Sequence, residues 1–377
     1  MNVNGVAYRS IWPIEQRAVG IIDQTRLPYE FCTRELADSR AVAAAIASMQ
    51  VRGAPLIGVA AAYGVALAAR QSSSETDLEQ ACQELLGSRP TAVNLRWAVQ
   101  RMRARLSELP PDQRRAAAWR EADAIAQEDL AINRAIGSHG SALLTQRHAQ
   151  TGRPVNVLTH CNAGWIATVD FGTALASVYL AHDAGVPVHV WVDETRPRNQ
   201  GLLTAWELAA HGVPHTLIAD NAGGHLMQHG KVDLVMVGAD RVSQRGDVCN
   251  KIGTYLKALA ARESSVPFYV AVPSPTIDWQ LRDALRETPI EERAGSELRM
   301  VNGLDASGRR ASVEQAPPAV PVANPAFDVT PAHLVTGLIT ERGVVLPAQL
   351  ATLFPDKSAD RSADGGADGN ADRDARR

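Results

Sequence analysis

Residues 155–165 read Val-Asn-Val-Leu-Thr-His-Cys-Asn-Ala-Gly-Trp, "VNVLTHCNAGW", and the fold turns on this stretch. Val155, Val157 and Leu158 form a short apolar run that stops at a thiol, an amide and a glycine. A run of this length, bounded by turn residues, predicts a buried strand. The texture returns downstream in "VPVHVWVDE", "PHTLIAD", "DLVMVGAD" and "PFYVAV", with helix-like "GTALASVYLAHDAG", "GLLTAWELAAHG" and "NKIGTYLKALAARE" in the gaps. Strands alternating with helices predict βαβ units, hence an α/β fold with a parallel sheet and helices on both faces.

Upstream the pattern differs. Residues 36–150 carry apolar side chains at three- and four-residue spacing in "AVAAAIASMQV", "NLRWAVQRMRARL" and "AAAWREADAIAQEDLAINRAIGSHGSALL", which predicts helices. Residues 1–35 hold short mixed runs that suggest a small strand-rich start. Residues 303–325 are rich in Pro, Ala and Ser and read as a surface connection, after which Thr330-Pro331 reads as an N-cap and first helical residue. From Lys357 the chain has almost no large apolar side chain, so residues 357–377 read as a disordered tail.

The 377 residues carry a formal net charge of −3 with no cluster of Lys and Arg, which excludes an electrostatic footprint for nucleic acid. No uncharged apolar stretch is long enough for a bilayer; the Ala-rich run Ala54–Ala69 reads as a buried core helix. The N-terminal residues lack a basic segment followed by an apolar run, so a cytoplasmic, reducing setting is expected. Cys32, Cys82, Cys161 and Cys249 are widely spaced, which predicts four free thiols and no structural metal.

In an open parallel sheet, ligands bind beyond the carboxyl ends of the strands. Four successive strands here end in Cys161-Asn162, Asp193-Glu194, Asp220-Asn221 and Asp240-Arg241. Each acid or amide alone suits a turn or cap; four together, one with a thiol, point to a shared site. Cys161 stands beside free backbone N–H groups, a setting that lowers a thiol's pKa and makes a base or nucleophile. Asp240 in an apolar cleft would hold its proton as a general acid does, or would pair with Arg241. "RGAPLIG" places Arg52 before a flexible Gly53 and a helix start, an arrangement suited to phosphate or carboxylate. Asn250 and Lys251 at another helix start, and Arg89 in an interhelical loop, extend this anion reading. The residues alone thus describe an α/β enzyme acting on a small anion with a thiol and a carboxyl group.

"RGAPLIGVAAAYG", "RPTAVNL", "THCNAGWIAT", "DETRPRNQG", "VGADRV", "GDVCNKIGTY", "PFYVAVPSPTID" and "NPAFDVTPAHLVTGLITERG" resemble, in order, the methylthioribose-1-phosphate isomerases. These belong to the superfamily of initiation factor two-B regulatory subunits. The resemblance implies a small strand-rich start (1–35), a helical N-terminal domain (36–150) and a Rossmann-like catalytic domain (151–353). It implies Cys161 and Asp240 as the catalytic pair, with substrate contacts from Arg52, Gly53, Ala54, Arg89, Gln200, Asn250 and Lys251. It also implies a sugar-phosphate substrate, a homodimer and no cofactor. The turn after Gln200 is one residue shorter than is common in that family. Two further readings stay open: a ribose-1,5-bisphosphate isomerase, differing where C5 of the sugar is held, and a non-catalytic regulatory subunit. Trp165 is either a wall of the C5 pocket or a core residue.

Overall fold

The computed structural model describes residues 1–358. Short strands lead the chain; Ile11–Ile14, Ala18–Ile22 and Thr33–Leu36 form an antiparallel sheet. Five helices follow: α1 (Ser39–Ala47), α2 (Ala54–Gln71), α3 (Glu75–Ser88), α4 (Val93–Ser107) and α5 (Pro111–Thr151). The Ala-rich run lies in α2, buried from Pro55 to Ala69 among the other helices. Small side chains on every face let four helices approach it, so composition and burial agree. No described helix is long and apolar enough to cross a membrane.

Beyond α5 a seven-stranded sheet is built from β1 (Val155–Thr159), β2 (Val188–Asp193), β3 (His215–Ile218), β4 (Leu234–Val237), β5 (Phe268–Ala271), β6 (Gly337–Thr340) and β7 (Gly343–Val345). Its order is β7-β6-β5-β4-β1-β2-β3, and only the edge strand β7 runs antiparallel. Order 3-2-1-4-5-6 is that of the doubly wound dinucleotide-binding sheet, whose direction of winding reverses between strands 1 and 4. Alternate residues serve opposite faces, as strand geometry requires. Leu234 and Met236 join a core with α5, α6 (Ala174–Asp183) and α7 (Gln200–His211), whereas Val235 and Val237 join one with α8 (Ala222–Gln228) and α9 (Thr254–Glu263).

The 41-residue helix α5 ties the two regions together. Its first half packs into the helical core through Trp119, Ala122 and Ile125, and its second half into the sheet core through Ile136 and Leu144. A second, mixed sheet of Ile277–Asp278, Arg241–Ser243, Val248–Lys251 and Phe327–Thr330 flanks the open end of the large one.

Two local expectations fail. Thr330 ends a strand paired with Val248, and Pro331 precedes only a three-residue 3₁₀ turn, Ala332–Leu334. The pairing partner, more than eighty residues upstream, overrides the capping signal. Reaching into 303–325, Met300–Leu304 and Arg310–Glu314 pair as a hairpin. The Asp305 carboxylate accepts the N–H groups of Ser307 (2.8 Å) and Arg309 (3.0 Å), a side-chain turn that needs no apolar core. Of the expected tail, the first two residues end a short helix, Pro355–Ser358, and residues 359–377 lie outside the described residues.

Candidate active site

The strand order places the tips of β1 and β4 side by side where the winding reverses, the position at which such sheets bind ligands. Cys161 follows β1 and Asp240 follows β4, and both line one cavity. The cavity leaves about 70 Å³ accessible to the centre of a water molecule and opens to solvent. Among the described residues, none donates a hydrogen bond to the Asp240 carboxylate.

Cys161 sits in the left-handed region, with φ 65°, a conformation that costs a non-glycine residue free energy and is held by its surroundings. Two threonines hold it. The Cys161 N–H donates to Thr195 Oγ1 (2.8 Å), and Thr204 Oγ1 donates to the Cys161 carbonyl (2.8 Å). The thiol's electrostatics differ from the sequence expectation. Burial raises its pKa, while Arg52 and Lys251 pull it down less strongly and Asp240 adds to the rise. The N–H of Cys161 is spent on Thr195, so the lowering influence foreseen from free N–H groups is weak. The balance of these influences favours the protonated thiol.

The helical region supplies the opposite wall. Arg52, Gly53 and Ala54 stand at the N-terminus of α2, whose free N–H groups and dipole face the cavity. Gly53 has φ 95°, and a Cβ there would lie 2.5 Å from the Ala167 backbone. Only glycine lets the helix end approach the Trp165–Ala167 turn so closely. Arg52 is buried and donates to the Asn162 side-chain oxygen and, at 2.8 Å, to the Asn162 carbonyl. Arg89 reaches the cavity from the end of α3, 3.8 Å from Glu291, and burial lowers its pKa. Burial likewise lowers the pKa of Lys251, whose Nζ lies 4.4 Å over the Phe327 ring and donates to the Ala326 carbonyl at 2.9 Å.

Gln200, at the start of α7, lines this cavity and an adjoining one, and its buried Oε1 has no hydrogen-bond partner. Of the nine residues singled out from sequence, only Asn250 stays outside the lining. It neighbours Lys251 on the Val248–Lys251 strand, so the two face opposite sides of the sheet. Cys249, two residues before Lys251, faces the cavity with it, while Asn250 donates to Thr254 Oγ1 at 3.0 Å. Burial pushes the Cys249 thiol up to about 12. Arg241 lies 3.6 Å from Asp278, not on Asp240. Trp165 is a core residue, 1% exposed and 6.0 Å from the Trp206 ring.

The other two strand tips do not join the cavity. Asp193 Oδ2 meets His160 Nδ1 at 2.9 Å and Lys257 Nζ at 2.8 Å, all buried. Asp220 accepts the backbone N–H groups of Thr195 and Arg196, both at 2.7 Å. His160, Asp193 and Asp220 have the spacing of a metal site, yet the Lys257 ammonium already lies against Asp193 and donates to the Asp220 carbonyl.

Sequence reasoning missed the residues that hold the site from behind. Thr204 and Glu207 share the inward face of α7 with Gln200, and Glu207 is fully buried. The signal was present: in "QGLLTAWEL", polar residues recur at i, i+4 and i+7, where an amphipathic helix would place its apolar stripe.

Residues 50–347 match the initiation factor 2 subunit family. The methylthioribose-1-phosphate isomerase of Rhodospirillum rubrum is 61% identical over 95% of this chain and 94% of its own. That of Gluconobacter oxydans is 59% identical over 95% and 99%. Among solved structures, 5-methylthioribose 1-phosphate isomerase from Pyrococcus horikoshii aligns with a TM-score of 0.80 at 41% identity, covering 93% of this chain and 96% of that one. The translation initiation factor eIF-2B subunit delta from A. fulgidus aligns with a TM-score of 0.75 at 40% identity, covering 93% and 100%. The chain belongs to the initiation factor 2 subunit family and, within it, to the group of the methylthioribose-1-phosphate isomerases.

Proposed function

We propose that the cavity converts 5-methylthioribose 1-phosphate into 5-methylthioribulose 1-phosphate. One observation carries the reading: a thiol and an unpaired carboxyl group, on the two strand tips at the winding reversal, share a cavity with Arg52, Arg89, Lys251 and a helix N-terminus. The relatives at about 60% identity bear the name of this activity.

The substrate's anomeric oxygen carries phosphate, so its ring does not open to a free aldehyde. An acid must protonate the ring oxygen as the C1–O bond breaks. Asp240 supplies that proton. Hydrogen must then leave C2, as a proton to a base or as a hydride moving to C1 while the C2 hydroxyl gives its proton to the Asp240 carboxylate, restoring the acid, and becomes the ketone. A resting thiol is a poor base, and this favours the hydride route, with Cys161 shielding a cationic C1 from water. Arg52, Arg89 and Lys251 grip the phosphate and turn its binding energy into positioning.

Met49, Ile57, Pro289 and Phe327 also line the cavity, which suits a methylthio group better than a second phosphate. A purely regulatory subunit needs neither Cys161 nor Asp240 free at the cavity. The reading extends to a cytoplasmic homodimer that works without cofactor, as the family resemblance implies. The test is an assay of purified protein against both sugars, with metal and nucleotide left out. Turnover of the methylthio sugar without solvent deuterium at C1 supports both activity and route; turnover of the bisphosphate alone overturns the substrate.

A further inference from the structure

Glu207 is a buried carboxylate that the chemistry above does not use. Its two oxygens accept from the Asn162 side-chain amide (2.9 Å), the N–H groups of Trp165 (2.8 Å) and Ile166 (3.2 Å), and the Tyr179 hydroxyl (2.9 Å). Four donors fill the four acceptor positions of an ionised carboxylate. A Cβ on Gly164 would lie 1.7 Å from Glu207 Oε2, so the loop after Cys161 is wrapped directly onto this group. Asn162, held from below, turns its own two oxygens to the guanidinium of Arg52.

We propose that Glu207 is the positioning residue for the anion wall: through Asn162 it holds Arg52 in the orientation that receives the substrate's phosphate. The inference rests on the sugar-phosphate reading of the cavity and deepens it. Asn162 acts as a relay, since one amide donates to the carboxylate and accepts from the guanidinium. A direct Glu–Arg pair would neutralise Arg52; an intervening amide fixes its geometry and leaves its positive charge for the ligand. Burial raises the Glu207 pKa to about 7, against the opposing pull of Asn162, Tyr179, the Ile166 N–H and Arg52. The backbone of Cys161 is held by Thr195 and Thr204, and Thr204 also accepts from the Asn162 amide at 3.2 Å. Thr195 therefore supports the thiol apart from the Arg52 relay, and through it the two roles can be separated.

The test compares Glu207→Gln with the parent by steady-state kinetics and by calorimetric titration with inorganic phosphate. The Gln side chain keeps the shape but presents an N–H group where Trp165 or Ile166 needs an acceptor. The loss of charge-assisted hydrogen bonds should raise KM and the phosphate Kd together by about ten- to a hundredfold, with kcat changed much less. Glu207→Asp should recover part of the loss. Thr195→Val, which touches Cys161 but not Asn162, should show the opposite split, lowering kcat more than it raises KM. A folded Glu207→Gln protein with parental KM and phosphate affinity overturns the proposal, as does one in which kcat alone falls. If Glu207→Gln does not fold, Tyr179→Phe removes a single donor outside the cavity and should raise KM several-fold with kcat unchanged; an unchanged KM then overturns it. A parent that turns over neither sugar but loses phosphate affinity on Glu207→Gln refutes the activity and keeps the role of Glu207.

Discussion

The four strand tips divide into two pairs with the same chemistry and opposite fates. Cys161 and Asp240, on neighbouring strands β1 and β4, open into the cavity. Asp193 and Asp220, at the tips of β2 and β3, meet their partners inside the protein. Asp193 meets His160 and Lys257, and Asp220 meets two backbone N–H groups. A buried polar group is costly unless it is paired. The inner pair is engaged by charged and backbone partners of the fold, although Asp193 Oδ1 keeps no hydrogen-bond partner. The outer pair opens into the cavity, where the proposed substrate would meet it. What separates the two pairs is access to the cavity rather than residue type or place at a strand end.

The sharpest way to break this comparison is to neutralise one member of each pair. Asp240→Asn and Cys161→Ser should fold with parental stability and lose turnover by about two to four orders of magnitude, the range for removing a general acid or an equally placed group. Steady-state assays beside thermal melts check both halves of the expectation. A near-parental rate from either variant removes that residue from the chemistry. Asp193→Asn should behave the other way round. It leaves the Lys257 charge unmatched in the interior, a loss of about 3–5 kcal/mol for breaking a buried pair. Denaturant titration should show the midpoint fall, while the folded fraction keeps kcat within about one order of magnitude, as a role outside the chemistry implies. A stable, inactive Asp193→Asn protein would erase the distinction between the pairs.

This division was half legible in the sequence. The strand ends stood out because a buried strand has a local pattern of apolar, β-branched residues cut off by a turn. The helical region was legible for the same reason, and α2 declared its burial through an unbroken run of small apolar residues. Which tips share a cavity depends on strand order, and β4 returns beside β1 only after β2 and β3 have been laid on its other side. No local pattern carries that information. Lys257 and His160, which claim Asp193, come from segments nearly one hundred residues apart. Asn250 was expected at a helix start, but a strand carries it, and strand alternation turns it away from Lys251. The hairpin at 300–314 escaped because its ladder and the Asp305 turn hold it with little apolar burial.

The smallest effect concerns two thiols that share the cavity wall, Cys161 and Cys249. Only the thiolate reacts with an alkylating agent. Burial raises the pKa of both, Cys249 to about 12, whereas Arg52 and Lys251 oppose the rise at Cys161. Because the protonated form is favoured, alkylation at pH 7 should run about tenfold or more slower than for a free cysteine and should climb as pH rises beyond the ordinary thiol range. Cys161 should react before Cys249, since Cys161 is partly exposed whereas Cys249 is buried. Inorganic phosphate should slow the reaction further, by blocking the cavity and by bringing negative charge to the cations that favour the thiolate. Mass spectrometry of peptides alkylated across a pH series reads all three trends. A Cys161 that reacts fully at neutral pH would be a thiolate at rest, and the balance between the two routes for C2 hydrogen would then tip towards proton abstraction.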